Sequence, residues 1–317
     1  MHLRKLGSTG VEVGAVGLGC MGMSWLYRES ERNDESSIAV IREALDLGMN
    51  MLDTADLYGA GHNEELIGQA ISGRRDDVLL ATKFGLVMDD LGARKAHRDG
   101  SPKHLATAVE ASLRRLNVDV IDLYYLHRID PTVPLADTWA AMADLVATGK
   151  VRYLGLSEPD VRQAEEAHSI HPVTAIQSEM SLWTRDPLRD MIGWCETTGV
   201  GFVPFAPLGR GFLTGTLRTS EFENSDFRAN SPRFQRAAMA ANQRIVDVVR
   251  EVADRHSATP AQVAIAWTLA QSEKVIPIPG TKNPRYLREN AAAADLVLTG
   301  QDLSALAAVP AALGSRY

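Results

Sequence analysis

Residues 121–157 read IDLYYLHRIDPTVPLADTWAAMADLVATGKVRYLGLS. Two short aliphatic and β-branched runs, 121–126 and 151–156, flank a stretch over 135–147 whose apolar spacing suits a helix with one buried face, and Gly149 follows as a helix stop. The order is strand, helix, strand. The same alternation extends in both directions. Strand-like runs occur at 15–18, 51–53 and 78–82 before this unit, and at 174–177, 201–205 and 275–278 after it. The spacing predicts further helices over 34–47, 64–71, 103–116, 161–167, 188–197, 241–255 and 284–293. In the first of these, Ile38, Ile41, Leu45 and, just past it, Met49 recur three or four apart while Arg42, Glu43 and Asp46 fall elsewhere, the pattern of an outer-ring helix. Ser101-Pro102 marks a helix start, and Gly48 and Gly199 mark helix ends.

Eight such units in strict order predict an α/β fold, a (β/α)8 TIM barrel, as a single domain over 1–317, a length these barrels commonly need. Three pieces stand outside the repeat. Residues 3–13, centred on Gly7-Ser8-Thr9-Gly10, read as a hairpin plugging the barrel bottom; 224–236 is a long excursion after the seventh strand; 302–313 is a short helical tail.

The balance of 33 Lys and Arg against 40 Asp and Glu gives a net charge of -7, which repels nucleic-acid backbones and anionic lipid. Cys20 and Cys195 are too few for a disulfide framework and fit free core thiols in a reducing cytosol. The opening MHLRKLGSTG has no apolar signal-like core, and no later apolar run approaches the roughly 20 residues that span a bilayer. A cytoplasmic protein acting on a small molecule is expected; oligomeric state is not legible.

In a barrel of this kind the C-terminal strand ends carry the chemistry. The second strand ends in Asp53 within DTADLYG, with Tyr58 five residues on; the third ends in Lys83 within LLATKFG; the fourth ends in His127. Singly, each has a bland reading as a loop cap, a packing ring or a solvated cation. Together they differ, because the apolar LLAT carries Lys83 into the barrel mouth, where a buried ammonium needs a partner and Asp53 is on the neighbouring strand. Reducing a carbonyl requires a proton donor that stays protonated near neutral pH. A tyrosine whose pKa a nearby ammonium lowers fits that need, with an imidazole to orient the substrate oxygen.

The sequence resembles the aldo-keto reductase superfamily over essentially its whole length. DTADLYG, LLATKFG, DLYYLH, GKVRYLGLSE, AIQSEMSLW, FAPLGRGFLTG and PGTKNPRYLREN occur in that family's order. The resemblance implies that Asp53, Tyr58, Lys83 and His127 form a catalytic tetrad with Tyr58 as general acid, reducing aldehydes or ketones with hydride from NADPH. It also implies that NADPH lies extended across the mouth: Ser157 and Gln177 on the carboxamide, Phe205 against the nicotinamide ring, Met21 and Gly22 in the first loop close by, and Glu289 and Asn290 at the adenine. The loop Leu208, Gly209, Arg210 and Gly211 offers amides and a guanidinium to pyrophosphate, and Gly280-Thr281-Lys282 precedes a helix whose N-terminus suits a phosphate. Glu158 and Phe205 depart from residues common in the family.

GLGCMG over 17–22 satisfies GxGxxG, but no helix opens within it, so a dinucleotide-binding αβ fold is disfavoured. A non-catalytic nucleotide-binding relative is the alternative from another class, which the intact Asp, Tyr, Lys and His argue against. A glycosidase built on Asp53 and Glu179 leaves Lys83 unexplained. His168 and His171, three apart without a third ligand, do not make a metal site.

Overall fold

A computed structural model describes residues 1–92, 95–217 and 221–316. The chain opens with an antiparallel hairpin, β1 (Leu3–Lys5) and β2 (Glu12–Gly14). There follow β3 (Leu18–Gly19), α1 (Asp34–Asp46), β4 (Met51–Asp53), α2 (His62–Ala70) and β5 (Leu79–Phe84). A second hairpin, β6 (Leu86–Asp90) with β7 (Lys95–Arg98), precedes α3 (Pro102–Leu116), β8 (Ile121–Leu126), α4 (Leu135–Ala147) and β9 (Val151–Ser157). Then come α5 (Val161–Ile170), β10 (Ala175–Glu179), α6 (Met191–Thr198), β11 (Gly201–Phe205), α7 (Arg236–His256), α8 (Pro260–Leu269), α9 (Pro284–Ala292) and α10 (Gly300–Ala307).

Seven strands form one parallel sheet in the order β11-β10-β9-β8-β5-β4-β3. The expected eighth strand is present as an extended segment rather than a full ladder. On one side Ile276 and Ile278 donate to Phe202 and Pro204 of β11, at 2.9 and 3.1 Å; on the other, Gly17 and Gly19 donate to Pro277 and Pro279, at 2.9 and 3.3 Å. The prolines explain the half-ladder. Their nitrogens face β3 and carry no hydrogen, so only their carbonyls pair there. The fold is thus a (β/α)8 TIM barrel with an N-terminal hairpin and a helical C-terminal tail.

Two of the three GLGCMG glycines, Gly17 and Gly19, serve this closure. A Cβ on Gly17 would sit 2.9 Å from the Met51 carbonyl oxygen, and one on Gly19 2.8 Å from that of Ile278. Their spacing answers the close approach of neighbouring strands, and no dinucleotide motif is built from it.

The strand period of two sorts side chains to the two faces of the wall. Leu79 and Ala81, Leu123 and Tyr125, Ala175, Val203, Ile276 and Ile278 fill the barrel, plugged below by Leu6 and Val13 of the hairpin. Leu80, Phe84, Tyr124, Leu126 and Ile176 face the helices. Arg4 fastens the plug by donating to the carbonyls of Leu269, Ser272 and Val275 at 2.7–3.0 Å.

Local signals set the helix ends. Asn33 accepts from Ser36, and Ser101 accepts from His104 with Pro102 next in line. The helix over 188–197 starts later than expected, at Met191, after a single turn through Pro187. The helix expected over 241–255 starts earlier, at Arg236. α8 has no counterpart in the sequence reading. All but two of its residues are buried, so it lacks the one-sided pattern that reveals a surface helix, although Thr259 and Gln262 form a capping box at its start. No strand or helix is expected from the sequence between 83 and 103, yet the β6–β7 hairpin lies there; 93 and 94 lie outside the described residues. Among the described residues no helix is long and apolar enough to cross a membrane. Both cysteines are buried and free, and burial pushes the Cys195 thiol up to about 12.

Gly155 on β9 tests how tightly the interior is filled. A Cβ there would meet two ring carbons of Tyr125 at 2.4 Å and the Ala175 carbonyl oxygen at 2.8 Å. Gly155→Ala should destabilise the barrel by about 1–3 kcal/mol, read as a lower denaturant midpoint at constant m-value.

Candidate active site

The inward parity that places Leu79 and Ala81 in the core also carries Lys83, two residues on, into the mouth, and it does the same for Asp53 after Met51 and for His127 after Tyr125. The mouth is therefore built by continuing the core rows past their apolar members. Lys83 is fully buried, and its ammonium hydrogens meet three acceptors: Asp53 Oδ1 at 2.6 Å, the Thr54 carbonyl at 2.6 Å and Tyr58 Oη at 3.3 Å. Asp53 Oδ2 in turn accepts from Gln177 Nε2 at 2.7 Å. Burial disfavours the charged amine, but Asp53 and Tyr58 outweigh it, and the Lys83 ammonium sits above its ordinary pKa.

Tyr58 follows β4 on a turn whose next residues, Gly59 and Ala60, are left-handed, which folds the phenol back over the mouth. Its hydroxyl differs in one respect from the expected lowering. Burial pushes the phenol above its ordinary value, the Lys83 ammonium pulls it back, and the Asp53 carboxylate works against Lys83. The phenol is therefore protonated across the neutral range. His127 stands edge-on to Tyr58, ring centroids 5.8 Å apart at 85°. Burial, then Lys83, then Arg128 hold the imidazole well below its usual pKa, so it is neutral, and its Nδ1 is buried with no partner among the described residues. Trp25, Met21, Leu86 and Met88 line Tyr58 with apolar surface, Trp25 at a centroid distance of 6.0 Å.

The residues expected around the cofactor divide into groups. Ser157 and Phe205 end β9 and β11, and Gln177 lies in the middle of β10 between them, all three on inward parity, with Met21 and Gly22 on the turn after β3. Leu208 to Gly211 form a tight turn with Gly209, Arg210 and Gly211 left-handed in succession. The Arg210 guanidinium is engaged elsewhere than expected: it donates to Glu179 at 2.8 Å and to the Arg316 carbonyl at 3.0 Å. After the closing segment Gly280 and Thr281 lead to Lys282, whose ammonium donates to the Arg28 carbonyl at 3.1 Å and joins the eighth loop to the first. Glu289 pairs with Arg285 on the helix surface, at 3.0 Å, while Asn290 is buried with Nδ2 unpartnered among the described residues.

Glu158 has a structural account that the sequence alone hid. Its carboxylate accepts from the Glu179 backbone at 2.8 Å and holds Arg316 of the tail through both oxygens, at 2.7 and 3.2 Å. The partner lies 158 residues away, and no local pattern announces it. Glu179 is committed to Arg210 and Thr184, and Asp53 to Lys83, so neither carboxylate of the glycosidase alternative is available.

The family model described as "Aldo/keto reductase family" matches residues 15–310. The chain belongs to the aldo/keto reductase family. Among curated relatives, a "Probable aldo-keto reductase 1" of Glycine max is 42% identical over 99% of this chain and 91% of its own length. Of solved structures, a glycerol dehydrogenase of Gluconobacter oxydans superposes with a TM-score of 0.88 at 29% identity, covering 96% of this chain and 94% of that one. An aldo-keto reductase of Klebsiella pneumoniae solved in complex with NADPH gives 0.74 at 28% identity, with 96% and 94% covered. Members of the family are oxidoreductases, and aldo-keto reductase neighbours are solved with NADP or NADPH bound.

Because Lys83 is the only cation paired with Asp53 among the described residues, Lys83→Met should cost about 3–5 kcal/mol of stability, the usual penalty for stripping one member of a buried pair. Lys83→Met combined with Asp53→Leu should recover part of that loss in thermal unfolding without recovering any turnover.

Proposed function

We propose that this member of the family is an NADPH-dependent reductase of aldehydes or ketones, one domain over 1–317, in which Tyr58 is the general acid. The observation that carries the reading is the buried Lys83 ammonium shared between Asp53 and the Tyr58 hydroxyl, beside a neutral histidine at the mouth. Bound NADPH would supply the hydride to the carbonyl carbon. Tyr58, protonated at neutral pH, gives its proton to the carbonyl oxygen as charge gathers there. Lys83 then stabilises the phenolate left behind, and Asp53 and Gln177 keep the ammonium fixed. His127, neutral and with a buried nitrogen in need of a partner, orients the substrate oxygen by hydrogen bonding.

The residues proposed to hold NADPH fit such a group. Asn290 has a buried amide donor left for adenine, Phe205 is a half-buried aromatic face at the end of β11, and the left-handed turn over 208–211 suits pyrophosphate. Ser157 and Gln177 would take the carboxamide, Met21 and Gly22 would border the nicotinamide, and Gly280, Thr281, Lys282 and Glu289 would meet the adenosine end. In this reading Arg210 and Lys282 exchange their present oxygen partners for phosphate.

Tyr58→Phe should lower kcat/KM for carbonyl reduction by about 10²- to 10⁴-fold with NADPH affinity unchanged, and near-normal turnover would overturn the mechanism. The free-enzyme pH profile should stay flat through neutrality and decline only in the alkaline range, where Tyr58 loses its proton. NADPH should be preferred to NADH, and Lys282→Ala should reduce that preference by about 10- to 100-fold, the effect of one charge-assisted phosphate contact. An unchanged ratio would remove Lys282 from the cofactor site.

A further inference from the structure

Several arginines near the strand ends are held by carboxylates. Arg115 meets Glu64, Arg210 meets Glu179, Arg228 meets Asp226 and Arg316 meets Glu158, all at 2.6–2.8 Å. Arg128, directly after His127 at the end of β8, has no carboxylate partner among the described residues. Both of its hydrogen bonds leave from Nη1, to the His127 carbonyl at 2.6 Å and to Ser157 Oγ at 2.9 Å. These two acceptors fix the plane of the guanidinium between β8 and β9 and leave Nε and Nη2, the two-pronged edge that matches a carboxylate, without a partner among the described residues. The side chain is half-buried, so a ligand would meet a partly dehydrated cation that needs little ordering.

The surrounding charge sharpens the point. Lys83 is neutralised by Asp53 and His127 is uncharged, so Arg128 contributes the unbalanced positive charge next to the proton donor. Across Tyr58 the wall is apolar, built from Met21, Trp25, Leu86 and Met88.

We propose that Arg128 is a specificity-determining residue that receives a carboxylate carried by the substrate close to its carbonyl, so that oxo acids with an apolar body are favoured over neutral aldehydes and ketones. This rests on the reading of the site as a carbonyl reductase. The guanidinium holds the acid by a two-pronged hydrogen bond while the reacting oxygen lies between Tyr58 and His127, and the apolar wall receives the remainder.

The test compares phenylglyoxylate with its methyl ester, which share ring and ketone and differ in the anion. In the presence of NADPH, Arg128→Met should lower the acid-to-ester ratio of kcat/KM by about 10- to 100-fold, chiefly through KM of the acid. Arg128→Lys, which keeps the charge without the fork, should fall between. Arg128→Gln keeps donors for the His127 carbonyl and Ser157 and serves if the methionine variant folds poorly; it too should lose most of the ratio. A ratio unmoved in both neutral variants overturns the inference, as does a loss matched by an equal weakening of the NADPH Kd measured by fluorescence, which would assign the guanidinium to the cofactor. If the wild-type protein reduces neither compound nor a simple aldehyde, the reductase reading fails and this inference with it. Reduction of the ester with an unmoved ratio sinks the inference alone.

Discussion

An ammonium placed inside an apolar barrel is the constraint around which the mouth is arranged. Lys83 continues the core row of β5, and its cation is tolerable there only because Asp53, the Thr54 carbonyl and Tyr58 receive its three hydrogens. Gln177, reaching Asp53 from across the barrel, extends that compensation to the second carboxylate oxygen. The pair stabilises little in net terms, since two charges were taken from water to make it. Its effect is on position and on the phenol: it fixes Tyr58 near a positive charge while burial keeps the proton on oxygen.

Barrel closure imposes a second constraint, and it accounts for sequence features that otherwise mislead. Strands β3 and the 275–279 segment approach so closely that Gly17 and Gly19 leave no room for a side chain, and the alternating prolines 277 and 279 allow pairing on only one side through carbonyls. A glycine-rich signature that reads like a nucleotide loop is here a packing requirement. The same economy appears at Gly155, whose missing side chain is filled by the ring of Tyr125.

Charge at the rim follows a different logic. Glu158, Glu179, Arg210, Arg233 and Arg316 form a network that joins the ends of β9 and β10 to the C-terminal tail, at 2.7 to 3.9 Å. Half-buried pairs of this kind specify where a segment lies more than they stabilise it. They place the tail beside the strand ends proposed to hold the nicotinamide, with Arg128 nearby but outside the network.

The barrel and the inward strand-end positions of Asp53, Lys83 and His127 were legible in the sequence because both depend on periods. A strand's period of two turns Leu79, Ala81 and Lys83 to one side, and a helix's 3.6 gives α1 its buried face; neither needs distant contacts to be recognised. What depended on distance was not legible. α8 is apolar nearly all round because α7 and α9 cover it, so its sequence has no face to read. The raised phenol of Tyr58, the attachment of Gln177 to Asp53, the capture of Arg210 by Glu179 and the grip of Glu158 on Arg316 were all decided by tertiary structure. Burial and pairing between residues far apart in the chain set the energy of a charge, and a linear sequence gives residue types and their periods but not which charges share a low-dielectric space.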